Sequence, residues 1–185
     1  WQLKAQAGHK RVFLELGGDA AVIVEPDVAD FDRCVARVAM GAFAYAGQVC
    51  ISVQRVLVHV SLYERFLEAL LGYVRDHVRV GGPMEDGVMM SALIDDAAVA
   101  KVQRFVASAE DAGAKRLCGG HREGRLFDPI VMTDVPDDVP LGCEEVFGPV
   151  VHVRPYERFG DALAEVNRSR FGLQTGSFTQ RWPRI

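Results

Sequence analysis

Along this chain the hydrophobic period switches repeatedly between two residues and about 3.6, and that alternation limits the possible folds more than any other feature. Val12 to Leu16 (VFLEL) and Ala20 to Val24 (AAVIV) read as short buried strands separated by Gly17-Gly18. After Pro26, with Asp27 or Asp30 as cap, the apolar positions Phe31, Cys34, Val35, Val38, Ala39 and Ala42 recur at helical spacing, and the helix should end near Gly47. Gln54 to Val60 alternates as a strand. Ser61 with Glu64 three positions on forms a capping-box pattern, opening a helix whose stripe runs through Leu62, Phe66, Leu70, Tyr73 and Val74. Gly81, Gly82 and Pro83 make a loop. A third helix is expected from about Asp95 to Ala112, with Gly113 at its C-terminal end. Lys115 to Cys118, Pro129 to Thr133 and Val150 to Val153 are further strands, and Phe159 to Asn167 a last helix. Strands and amphipathic helices in alternation predict an α/β domain with a mostly parallel sheet flanked by helices.

With 185 residues, 49% of them apolar and 25% charged, one domain can bury a core without a disulfide or a metal. A net charge of −4 and a pI near 5.7 argue against a general nucleic-acid partner. No apolar run reaches the roughly 18 residues of a membrane span and no basic-then-apolar leader opens the chain, so no membrane association and a cytoplasmic location are expected. Cys34, Cys50, Cys118 and Cys143 form no C-x-x-C pair, so no metal site is expected and free thiols are the better reading. The chain opens on Trp1 rather than methionine, which reads as a partial sequence.

Three segments can carry chemistry. In GQVCISVQR (Gly47 to Arg55), Cys50 lies in a glycine-containing turn between a helix and a strand, exposed enough to be a nucleophile if activated; alternatively it is a small buried filler. In LELGGD (Leu14 to Asp19), Glu15 interrupts an apolar run, where desolvation would raise its pKa toward that of a general base; alternatively it faces solvent. In EEVFGPV (Glu144 to Val150), an acidic pair precedes an aromatic and a constrained turn, readable also as a solvated acidic loop. Cys50 is expected to be the most reactive thiol. Cys34 falls on a buried stripe, Cys118 ends a strand, and the charge of Glu144-Glu145 should raise the pKa of Cys143.

Taken together, in this order and spacing, the three segments resemble the motifs of the aldehyde dehydrogenase superfamily. AQAGHKRV, LCGG (Leu117 to Gly120) and FGLQTGSFT (Phe171 to Thr179) are also similar to family segments, so the resemblance covers nearly the whole chain. It implies an oxidoreductase converting an aldehyde to a carboxylic acid with NAD or NADP. Cys50 matches the nucleophile, through a thiohemiacetal and a thioester, and Glu15 the general base that activates water. On the cofactor side, Glu145 matches the residue holding the nicotinamide ribose hydroxyls, Phe147 the aromatic near the nicotinamide, and Gly17 a position of the cofactor-side turn. The resemblance also implies that residues 1–185 are a single catalytic domain, without the N-terminal cofactor-binding region, the oxyanion-hole asparagine and the C-terminal segment that pairs subunits. The full-length protein would then be a homo-oligomer acting on a small-molecule aldehyde, and the isolated chain would be inactive. GQVCISVQR is closer to the branch acting on small, often hydroxylated or carboxylated aldehydes.

Two positions depart from the family pattern. Tyr45 stands where many relatives carry asparagine, and Asp19 where they often have lysine or asparagine. A truncated non-enzymatic product and a cofactor-free cysteine hydrolase, with His9 or His152 as a spatial partner of Cys50, stay open as alternatives.

Overall fold

The computed structural model describes residues 1–181. In chain order its elements are α1 (Gln2–Gln6), β1 (Ala20–Val24), α2 (Phe31–Phe43) with a 3-10 turn (Ala44–Gly47), β2 (Val53–His59), α3 (Tyr63–His77), α4 (Asp96–Asp111), β3 (Lys115–Cys118), β4 (Arg122–Glu123), β5 (Leu126–Phe127), β6 (Ile130–Thr133), α5 (Pro140–Cys143), β7 (Val150–Tyr156), α6 (Phe159–Asn167) and β8 (Thr175–Phe178). Six strands form one sheet in the order β3-β6-β7-β2-β1-β8, with β4 and β5 a separate hairpin. Every pairing in the large sheet is parallel except β3 with β6. This is the α/β, mostly parallel architecture expected.

The central strands are buried along most of their length because helices cover the sheet, which is why AAVIV is a continuous apolar run rather than an alternating one. Val22, Val24, Val56, Val58 and Val153 join the buried stripes of α2, α3 and α4 in the main core, while Ile23, Leu57 and Tyr156 meet Ala162 of α6 in a smaller cluster. Full burial of a side chain such as Phe66 or Leu70 contributes about 1.5–3 kcal/mol. The Asp30 and Asp95 carboxylates cap α2 and α4 by accepting from the backbone N–H groups of Arg33 (2.9 Å) and Ala98 (2.7 Å). Gly113, at φ +98°, closes α4 from the left-handed region.

The chain departs from the sequence expectation at several places. Val12 to Leu16 is not a strand: it pairs with nothing among the described residues, and Phe13 is 89% exposed. Apolar period alone cannot make a strand without a partner for its backbone groups, and β1 starts at Ala20 because that is where the chain meets β2 and β8. The capping box at Ser61 does not form. Residues 60–62 make a 3-10 turn, the Ser61 backbone N–H and hydroxyl both engage His59 Nδ1, and α3 begins at Tyr63 without a side-chain cap. The short elements α1, α5, β8 and the β4–β5 hairpin carried too few periodic residues to be read.

Candidate active site

Two turns bring the cysteine segment to its place. After Phe43 the backbone enters the left-handed region at three successive residues, Tyr45 (φ 54°), Ala46 (φ 55°) and Gly47 (φ 69°), and reverses toward Cys50. Only glycine is tolerated at the last of these, because a Cβ there would overlap the carbonyl oxygen of Gly148 in the FGP turn. The Ser52 backbone N–H then bonds to the Val49 carbonyl at 2.9 Å, and the chain passes into β2. Cys50 sits half-buried in this turn.

The glycine pair joins the other two segments. The Gly18 N–H donates to Glu145 Oε1 at 2.8 Å. A Cβ on Gly17 would lie 2.6 Å from Glu145 Oε2, and one on Gly18 would overlap the carbonyl oxygen of Cys50. Cys50, Gly17-Gly18 and Glu145 therefore form one contact group, and the glycine pair and Glu145 meet across 127 residues of sequence. Phe147 follows in a left-handed conformation (φ 52°) and is 38% exposed. With Tyr45, Gln48, Ser91, Ala92 and Ile94 it lines a cleft of about 390 Å³. Gln48 holds the far wall, donating to the Ala92 carbonyl (3.4 Å) and accepting from the Ile94 N–H (2.8 Å).

Glu15 stands apart from this group. It is exposed on the extended segment and makes no hydrogen bond to Cys50 among the described residues, so the desolvated apolar setting expected for it is absent. Neither histidine partners Cys50. His9 is exposed. His152 is 1% exposed in β7, with no hydrogen-bond partner on either ring nitrogen among the described residues, and its burial together with Arg154 and Arg55 holds its pKa well below the ordinary value. It is a neutral side chain sealed in the sheet.

Sequence reasoning missed two polar side chains in the segment after Cys50. Gln54, 3% exposed, donates to the carbonyls of Leu141 (3.1 Å) and Glu144 (2.7 Å) and accepts from the Val146 N–H (2.9 Å). Arg55 lies 3.0 Å from Asp19, the second position that departs from the family pattern, and donates to the Asp19 and Glu165 carbonyls. Ser169 donates to the same Asp19 carboxylate at 2.9 Å. Burial pushes that carboxyl above its usual range against the pull of Arg55. The only signal for either residue was a polar side chain at the mouth of an apolar strand. On the side of Asp19 and Arg55, a cleft of about 380 Å³ also holds Arg154 and Arg168, and both pair with Asp137.

Of the other thiols Cys34 is buried and Cys118 half-buried, while Cys143 is exposed, and the surroundings raise the pKa of all three. Burial pushes Cys34 up to about 12 and raises Cys118. Cys143 is raised as well, first by desolvation and only second by Glu144, which reverses the order of causes expected from the acidic pair. Limited alkylation with peptide mapping should therefore label Cys50 first, and earlier labelling of Cys118 or Cys143 would remove it as the nucleophile. Among the described residues no group of three histidine, cysteine or acidic side chains could hold a metal, and no helix is long and apolar enough to cross a membrane.

Residues 2–185 match the profile of the aldehyde dehydrogenase family. A 3-sulfolactaldehyde dehydrogenase of Priestia aryabhattai is 37% identical over 96% of this chain and 37% of its own length. The NADP-dependent succinate-semialdehyde dehydrogenase of Escherichia coli is 36% identical over 95% of this chain and 37% of its own. Among solved structures, aldehyde dehydrogenase 21 of Physcomitrella patens, in complex with its product succinate, superposes with a TM-score of 0.94 at 38% identity, covering 100% of this chain and 38% of that one. An aldehyde dehydrogenase of Mycobacterium tuberculosis complexed with NAD+ gives a TM-score of 0.90 at 30% identity over 99% of this chain and 39% of that one. The chain thus spans less than two fifths of the length of these relatives. On the family profile, the sequence identities and the superposition, this chain belongs to the aldehyde dehydrogenase family.

Proposed function

We propose that the whole protein oxidises an aldehyde to a carboxylic acid with NAD or NADP, and that residues 1–185 are its catalytic domain. The observation that carries this is the contact group in which Gly18 packs on the Cys50 carbonyl and donates to Glu145. The Cys50 thiolate attacks the aldehyde carbon to give a thiohemiacetal, which splits a difficult oxidation into addition and electron removal. When bound, the dinucleotide supplies the two-electron acceptor that turns this adduct into a thioester. Glu15, exposed to solvent, takes a proton from water, and hydrolysis releases the carboxylate and restores the thiol. The residues present fit the nicotinamide end of such a cofactor. Phe147 and Tyr45 line a cleft of about 390 Å³, and the absence of a side chain on Gly17 makes room for the Glu145 carboxylate, which a Cβ there would crowd. Glu145 would hold the ribose hydroxyls.

The named substrates of the similar enzymes, 3-sulfolactaldehyde and succinate semialdehyde, support a small polar aldehyde, hydroxylated or carboxylated. The family resemblance carries with it a homo-oligomer of the cytoplasm. The test is reduced-cofactor absorbance with the whole protein, NAD or NADP, and a panel of small aldehydes. Failure of every combination, with Cys50 intact, would sink the reading. The 185-residue segment alone should form no reduced cofactor in the same assay, because positioning of the acceptor is worth roughly 7–11 kcal/mol of barrier.

A further inference from the structure

The structure assigns Gln54 a positioning role: its side chain sets the place of Glu145, and through it dinucleotide binding. The inference rests on the cofactor role proposed above for Glu145. Gln54 is the second residue of β2, four after Cys50, at the point where the register with β1 slips, Ala20 pairing with Val53 but Ala21 with Arg55. The slip leaves Gln54 out of that ladder's register, beside the loop that carries Glu145. The amide meets one residue on each side of Glu145. It donates to the Glu144 carbonyl at 2.7 Å and accepts from the Val146 N–H at 2.9 Å, and a second donor bond reaches Leu141 at 3.1 Å. Both N–H bonds and the oxygen are used, and turning the amide over would set like atoms against each other, so a single orientation works. Glu145 is thereby held on both sides, with its own carboxylate on Gly18. Gly18 packs against the Cys50 carbonyl, which closes a circuit from the nucleophile turn through Gln54 and Glu145 back to Cys50.

The test uses the whole protein and two readouts: dinucleotide affinity, from KM and from NADH fluorescence, and cofactor-independent cleavage of p-nitrophenyl acetate at Cys50. Gln54→Met keeps the volume and removes all three bonds. A displacement of Glu145 by about 1 Å should weaken dinucleotide binding about 10- to 100-fold while ester cleavage changes by less than about threefold. Gln54→Glu covers the case in which the methionine variant does not fold. Ionised, it aims a carboxylate at two carbonyls; protonated, it regains one donor. Its dinucleotide affinity should therefore recover as pH falls, where that of the wild type does not. Parallel loss of both readouts would make Gln54 merely structural and overturn the inference, as would unchanged dinucleotide affinity in either variant. A wild type that binds NADH but oxidises no aldehyde would defeat the proposed function while the binding readout still scores Gln54. A wild type that binds no NADH would defeat both.

Discussion

Cys50→Ala in the whole protein is expected to remove aldehyde oxidation, with a fall in turnover on the order of 10⁶, the scale seen when a covalent nucleophile is deleted from a hydrolase. Without the thiolate no thiohemiacetal forms, and the bound aldehyde has no alkoxide from which electrons can leave. No neighbour can take over: no histidine is bonded to this turn among the described residues, and burial raises the Cys34, Cys118 and Cys143 thiols. The fold should be nearly indifferent. Cys50 is half-buried in a turn, so trimming one sulfur there should cost within about 1 kcal/mol of stability. The checks are turnover with NAD and NADP beside a thermal melt. Wild-type turnover in the variant would mean that Cys50 is the buried filler of the alternative reading.

Gly18→Ala should damage both stability and activity. Gly18 does not need a left-handed backbone; its constraint is the backbone carbonyl of Cys50 standing where a Cβ would go. A carbonyl oxygen fixed in a turn cannot swing away as a side chain would, so either the glycine segment or the cysteine turn must move. Overpacking of this kind costs about 1–3 kcal/mol. Displacing the nucleophile and stretching the Gly18–Glu145 bond should also lower turnover by about 10²-fold or more. Gly160→Ala is the control, since nothing lies within 4 Å of its added Cβ and it sits in α6, where alanine favours the helix by about 1 kcal/mol. The comparison is read from melting temperatures, Cys50 alkylation rates and turnover. Equal behaviour of the two variants would show that the close approach of Gly18 to Cys50 does not constrain the site.

Much of this was legible before any coordinates. The stripe Cys34, Val35, Val38, Ala39 and Ala42 is buried as its spacing requires, and β3 and α6 have the bounds read from the pattern. The three chemical segments were also identifiable, since each is a local string of residues. Glu15 shows the limit. Its string was recognised, but its surroundings were inferred from apolar neighbours that turn out to be exposed.

The sequence by itself determined the alternating α/β elements and the identities of Cys50, Glu15, Gly17, Glu145 and Phe147 as candidates, while the choice of Asp30 over Asp27 as the cap of α2 came from the structure. The elements and candidates rest on patterns a few residues long: helical stripes and motifs read in order. Only the tertiary structure decided that Val12 to Leu16 pairs with no strand among the described residues, that His152 is sealed and neutral, and that Gln54 grips the loop around Glu145. It also decided that Gly18 lies against Cys50. Each of these depends on what lies opposite a residue from far along the chain. Periodicity reports which face of an element avoids water, but not which backbone group will stand within hydrogen-bond reach of that face.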